Sequence, residues 1–133
     1  MRIVPMALAR LVFRTLATSA VAIAFTTGAA RAPWHTRLLK SSPAANETVA
    51  SPPPAITLVF SERVDLAVSR FRLADAKGTA VALGKAKFDD PQKGTTVVVP
   101  VSGAIAHGAY TVTWSVAADD GHPVKGTFGF VVR

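Results

Sequence analysis

An all-β fold, an antiparallel sandwich or Greek-key barrel, is the class this sequence predicts. Three observations predict it. Apolar and polar residues alternate with period two in separate short segments, and those segments are rich in β-branched and aromatic residues, as half-buried strands require. Clusters of Gly, Pro, Asp and Ser stand between the segments and mark turns. No segment after residue 32 carries a convincing helical period. Short strands divided by turns at this spacing pack as two antiparallel sheets or close into a barrel.

The first 32 residues stand apart from that fold. Arg2, Arg10 and Arg14 make a basic start, and Thr15 to Ala30 carries no charge, with Leu16, Val21, Ile23 and Phe25 among its apolar residues. Thr26, Thr27, Gly28, Ala29 and Ala30 follow as small residues. That order is a secretory signal peptide. The 16 uncharged residues fall short of the about 20 that a spanning helix needs. The expectation is a removed signal at 1–32 and an exported, soluble domain at 33–133.

The strands are read next. Ile56, Leu58 and Phe60 alternate with Thr57, Val59 and Ser61; Ser69 to Leu73 alternates again, with Phe71 and Leu73 against Arg70 and Arg72. Thr96 to Val99 is a β-branched run ended by Pro100. Tyr110, Val112, Trp114 and Val116 share one face, opposite Thr111, Thr113 and Ser115. Phe128, Phe130 and Val132 share another, opposite Thr127 and Gly129. Ser51-Pro52-Pro53-Pro54, Ala76-Lys77-Gly78, Asp89-Asp90-Pro91, Lys93-Gly94 and Ala106-His107-Gly108 are the turn signals between them. Tyr110 and Trp114 belong to the core on this reading, with their polar atoms partnered.

Composition narrows the chemistry. The whole chain is +7, but Arg2, Arg10, Arg14 and Arg31 lie in the excluded segment; from Pro33 onward 11 Lys/Arg face 8 Asp/Glu, a net +3 with the basic residues scattered. That is a solvated, mildly basic surface and not a nucleic-acid stripe. Cysteine is absent, and both methionines, Met1 and Met6, lie in the signal. The mature chain therefore offers only nitrogen and oxygen ligands, which suit Cu(II) and, less selectively, Zn(II) or Ni(II), and do not suit Cu(I). Blue-copper, iron–sulfur and c-type haem centres all need a thiolate or cysteine and are excluded. No G-x-S-x-G, H-E-x-x-H or glycine-rich phosphate loop is present.

One constellation joins a structural context to chemistry. The strand Ala109–Val116 runs into Asp119-Asp120-Gly121-His122-Pro123. In extended chain, residues two apart leave on the same side, and the proline biases His122 to extended geometry. Asp120 and His122 are thus expected side by side, able to bind a borderline metal or to orient one another. Asp119, on the other side, reads as a surface charge. His107 reads as a turn residue, and Asp89 with Asp90 as turn chemistry.

Taken in order, His35-Thr36-Arg37-Leu38-Leu39-Lys40-Ser41-Ser42-Pro43, Leu58-Val59-Phe60-Ser61-Glu62-Arg63-Val64, and Tyr110-Thr111-Val112-Thr113-Trp114 with Asp120-Gly121-His122-Pro123-Val124 and Gly126-Thr127-Phe128 resemble the CopC family of periplasmic copper-resistance proteins. The resemblance covers 35–132. It implies an Ig-like or cupredoxin-like Greek-key β-sandwich in the periplasm holding one Cu(II). It further implies His35, Asp120 and His122 as ligands, Glu62 at or near the metal, and a CopD-type inner-membrane partner. The expected protein is a monomeric copper carrier or buffer without enzymatic activity and without nucleic-acid binding. A brace, in which the amine and imidazole of one histidine chelate together, needs His35 as the first mature residue. The small-residue rule does not predict cleavage after Trp34, and cleavage after Ala30 would leave four residues ahead of His35. Cleavage after Ala32 would leave a Pro33-Trp34-His35 chelate, although a proline just after the cut disfavours that site. Two other readings stay open: an Ig-like interaction module that docks on a membrane partner, and a histidine-brace copper enzyme resembling lytic polysaccharide monooxygenases.

Overall fold

A computed structural model describes residues 35–118 and 120–133. The expected signal segment at 1–32 lies outside the described residues, as does Asp119. Nine strands follow in order: β1 (Leu38–Ser42), β2 (Thr48–Val49), β3 (Ala55–Phe60), β4 (Val64–Asp75), β5 (Ala80–Val81), β6 (Lys87–Phe88), β7 (Thr96–Pro100), β8 (Gly108–Ala118) and β9 (Pro123–Val132). They form a four-stranded sheet ordered β1-β3-β7-β6 and a five-stranded sheet ordered β2-β9-β8-β4-β5. Pairing is antiparallel throughout except between β2 and β9. No helix occurs among the described residues.

The alternation read from sequence is the burial pattern of the sheets. Ile56, Leu58 and Phe60 of β3 and Val97 and Val99 of β7 face Tyr110, Val112, Trp114 and Val116 of β8 and Phe128, Phe130 and Val132 of β9 in one buried cluster. Each such side chain contributes about 1.5–3 kcal/mol through its removal from water. Phe60 and Trp114 meet edge to face across the two sheets at 5.3 Å. Tyr110 stacks on its cross-strand partner Phe130 at 5.7 Å. The Tyr110 hydroxyl accepts from the Ala106 amide at 2.9 Å and donates to the Ala106 carbonyl at 3.0 Å, so this core aromatic keeps its polar end satisfied.

The predicted turns are turns. The Asp90 carboxylate accepts from the amides of Gln92 and Lys93, and Asp75 does the same for Lys77 and Thr79, the local bonding that makes Asp a turn former. Strand β4 is much longer than its alternation indicates, because its register slips between Asp65 and Arg70. In that bulge Asp65 Oδ1 accepts from the Ala67 amide, Ser69 Oγ donates to the Asp65 carbonyl, and Arg70 donates to the carbonyls of Ala67 and Ser69. Side chains thus satisfy backbone groups that the ladder releases.

Three pairings bring distant residues to one end of the sandwich. Strands β8 and β9 are laddered from Gly108↔Val132 to Ala117↔Pro123, which leaves the turn carrying Asp120 and His122 beyond the last rung. The start of β4 pairs there through Val64↔Ala118. The chain ahead of β1 is pinned beside the end of β3, with the Arg37 amide donating to Ser61 Oγ and the Ser61 amide donating to the Arg37 carbonyl, both at 2.9 Å.

Candidate metal centre

Asp120 and His122 come together as expected, but by a different route. The segment is a tight turn and not extended chain. Gly121 has φ +75°, a conformation open to glycine at little cost, and its amide donates to the Ala118 carbonyl at 2.9 Å. Asp120 Oδ1 accepts from the His122 amide at 3.0 Å. Its other oxygen, Oδ2, lies 3.5 Å from His122 Nδ1. The turn therefore sets carboxylate and imidazole against each other while 79 % of the His122 side chain and 50 % of the Asp120 side chain stay exposed.

This arrangement depresses the Asp120 carboxyl below its ordinary value. The His122 amide is the largest cause; burial opposes it, and the charge and hydrogen bond of the His122 imidazole and the charge of His35 lower it further. A depressed carboxyl favours the folded turn above the ordinary carboxylate range, and that contribution fades as pH falls through the folded value. Near neutral pH Asp120 is an anion ready to meet a cation. His35 stands two residues ahead of Arg37, whose backbone is bonded to Ser61 at this end of the sandwich.

Glu62 is not an exposed carboxylate paired with Arg63. Arg63 instead donates to the carbonyls of Pro91 and Gln92 and lies over the Phe88 ring. Glu62 is half-buried, no basic side chain among the described residues pairs with it, and Oε2 accepts from the hydroxyl of Thr36 at 3.3 Å. Thr36 itself is 3 % exposed. His107 is exposed in its turn, just ahead of the Gly108↔Val132 rung, at the end of the β8–β9 ladder away from Asp120.

Among the described residues, no three His, Asp or Glu side chains are close enough together to clasp an ion as they stand. Asp120 and His122 are in contact; His35 and Glu62 belong to the two segments that the Thr36–Glu62 and Arg37–Ser61 hydrogen bonds tie together. Sequence reasoning missed Thr36 and Ser61, which hold that segment down. Their roles depend on pairing across more than 20 residues, for which local patterning carries no signal.

Fold and donor chemistry together define a class: a small two-sheet β-sandwich with imidazole and carboxylate side chains gathered at one end. The family model described as CopC domain matches residues 38–133. The chain is 33% identical over 125 residues to the copper resistance protein C of Xanthomonas campestris pv. juglandis, an alignment covering 91% of this chain and 98% of that one. It superposes on the crystal structure of CopC from Methylosinus trichosporium OB3b with a TM-score of 0.67 at 33% identity, covering 74% of this chain and 93% of that one. For PcoC, a methionine-rich copper resistance protein from Escherichia coli, the TM-score is 0.66 at 31% identity, with 74% and 99% covered. The chain belongs to the CopC family of copper-resistance proteins, and its β-sandwich is the fold of those neighbours.

Proposed function

We propose that this protein is a periplasmic Cu(II) carrier or buffer, exported by a signal peptide at 1–32 and folded from 33 to 133, with His35, Asp120, His122 and Glu62 as its metal-site residues. The observation that supports it most is the Asp120–His122 turn, an ionised carboxylate against an exposed imidazole, with the Thr36–Glu62 contact, next to His35 in the chain, held at the same end by the Arg37–Ser61 bonds. Two imidazoles with carboxylates are a donor set for Cu(II) and not for Cu(I). PcoC is described as methionine-rich; the only two methionines in this chain are Met1 and Met6, so a thioether Cu(I) site has no ligands in 33–133. Copper is cargo on this reading, held without redox cycling by a monomer, and no catalytic role is assigned. Native mass spectrometry of the protein exported through its own signal tests it. One Cu(II) per chain is expected, and a chain that retains none would sink the reading. The apo mass also gives the first residue, and so decides whether the His35 amine takes part.

A second reading, an interaction module for a CopD-type membrane protein, is favoured by one observation. An open groove of about 530 Å³ runs between the β4 bulge and residues 83–86, with Leu66, Phe71, Leu83 and Val99 along it and Arg70 and Lys85 as its cations. Val68, in the same bulge, is 55 % exposed. An acidic, apolar periplasmic segment of the partner would complement it. Reversing both charges (Arg70→Glu with Lys85→Glu) is expected to weaken co-purification with the membrane partner while leaving Cu(II) stoichiometry at one; unchanged co-purification removes the groove from consideration.

A further inference from the structure

Thr36 links two of the four metal-site residues. It is joined by a peptide bond to His35 and by a hydrogen bond to Glu62. It is one of three buried polar side chains among the described residues, at 3 % exposure, and its hydroxyl donates to Glu62. If Glu62 swung away, that hydroxyl would be left buried and unpaired, which is unfavourable. On the chain's other side, the reciprocal Arg37–Ser61 bonds fix the backbone directly after Thr36. One oxygen of Glu62 is thus committed to Thr36, while Oε1 takes no hydrogen bond from the described residues.

We propose that Thr36 is a positioning residue of the metal centre, holding the Glu62 carboxylate and the adjoining His35 where both can reach an ion bound by Asp120 and His122. The inference rests on the copper reading above. Groups that orient ligands in this way typically change metal affinity by about 10–100-fold. Thr36→Val keeps the shape and burial and removes only the hydroxyl.

The test is a double-mutant cycle on the exported, full-length mature protein, with Cu(II) affinity measured by competition against a chromophoric chelator. Thr36→Val is expected to weaken Cu(II) binding by about tenfold, the lower end of that range, and Thr36→Ser to restore it. In a Glu62→Ala background Thr36→Val should cause no further loss, because its effect passes through the carboxylate. A merely structural role would give the same loss in both backgrounds. An unchanged affinity for Thr36→Val, or an equal loss with and without Glu62, overturns the proposal while leaving the copper reading intact. A parent protein that binds no Cu(II) overturns both.

Discussion

His122→Ala is expected to abolish the one-to-one Cu(II) complex without unfolding the protein. The side chain is 79 % exposed and pairs with the Asp120 carboxylate, so its removal opens no cavity, and surface changes of this kind stay within about 0.5 kcal/mol of the parent. The turn survives, because its bonds run from the His122 amide to Asp120 and from the Gly121 amide to Ala118. What disappears is the nitrogen donor beside the ionised carboxylate. Partners that only orient a ligand change affinity by about 10–100-fold, so loss of a ligand itself should exceed about a hundredfold. His107→Ala, an exposed imidazole in another turn, is the control and should leave affinity unchanged. Competition against a chelator, with thermal denaturation alongside, separates the outcomes. If His122→Ala binds copper as tightly as the parent, the proposed site is wrong.

Both the fold and the site were legible in the sequence to different depths. Strands β3, β7, β8 and β9 each bury one face, and the period-two pattern states which. The alternation marks β4 only over 69–73 although the strand spans Val64–Asp75, because its bulge puts Leu66, Ala67 and Val68 out of step and no alternation passes through them. Strand β1 escaped for a related reason: Leu38-Leu39-Lys40-Ser41-Ser42 has no alternation to read, and its own register shifts between Leu38 and Lys40. Strands β2, β5 and β6 have two residues each, too few to show any period.

At the site, the nearness of Asp120 and His122 was predicted from extended chain and is produced by a turn with Gly121 at positive φ. The proximity was right because either geometry puts residues two apart within reach. The setting of Glu62 was not legible. It depends on Arg63 being drawn to the loop at 91–92 and on Thr36 arriving from 26 residues away. Those are long-range facts that only the sheet pairing creates.

Gly126→Ala is expected to destabilise the fold by about 2 kcal/mol, within the range of about 1–3 kcal/mol for overpacking a core. Gly126 is the cross-strand partner of Trp114. A Cβ built on it would stand 2.5 Å from Cζ2 and 2.8 Å from Cε2 of the indole, closer than carbon atoms tolerate. The indole edge carrying Cζ2 and Cε2 comes this close to β9 because no side chain occupies this position. It cannot easily yield, since it is held edge to face on Phe60 and is 6 % exposed. The role of this glycine is space and not a left-handed backbone, in contrast to Gly121. For a domain of about 100 residues, 1 kcal/mol corresponds to about 4–8 °C in Tm, so the shift should be on the order of 10 °C. Urea unfolding should show a lower midpoint with an unchanged slope. A second variant checks the cause: Trp114→Leu should be costly alone, yet adding Gly126→Ala to it should cost much less than in the parent, because the clashing ring has gone. Equal losses in both backgrounds would mean that the glycine matters for some reason other than the indole. A Gly126→Ala protein as stable as the parent would mean that ring and strand are not in such close contact. The cost would fall on the rung of the β8–β9 ladder that pairs Trp114 with Gly126, three rungs before the turn that presents Asp120 and His122, so the same variant measures how firmly the core holds the metal centre in place.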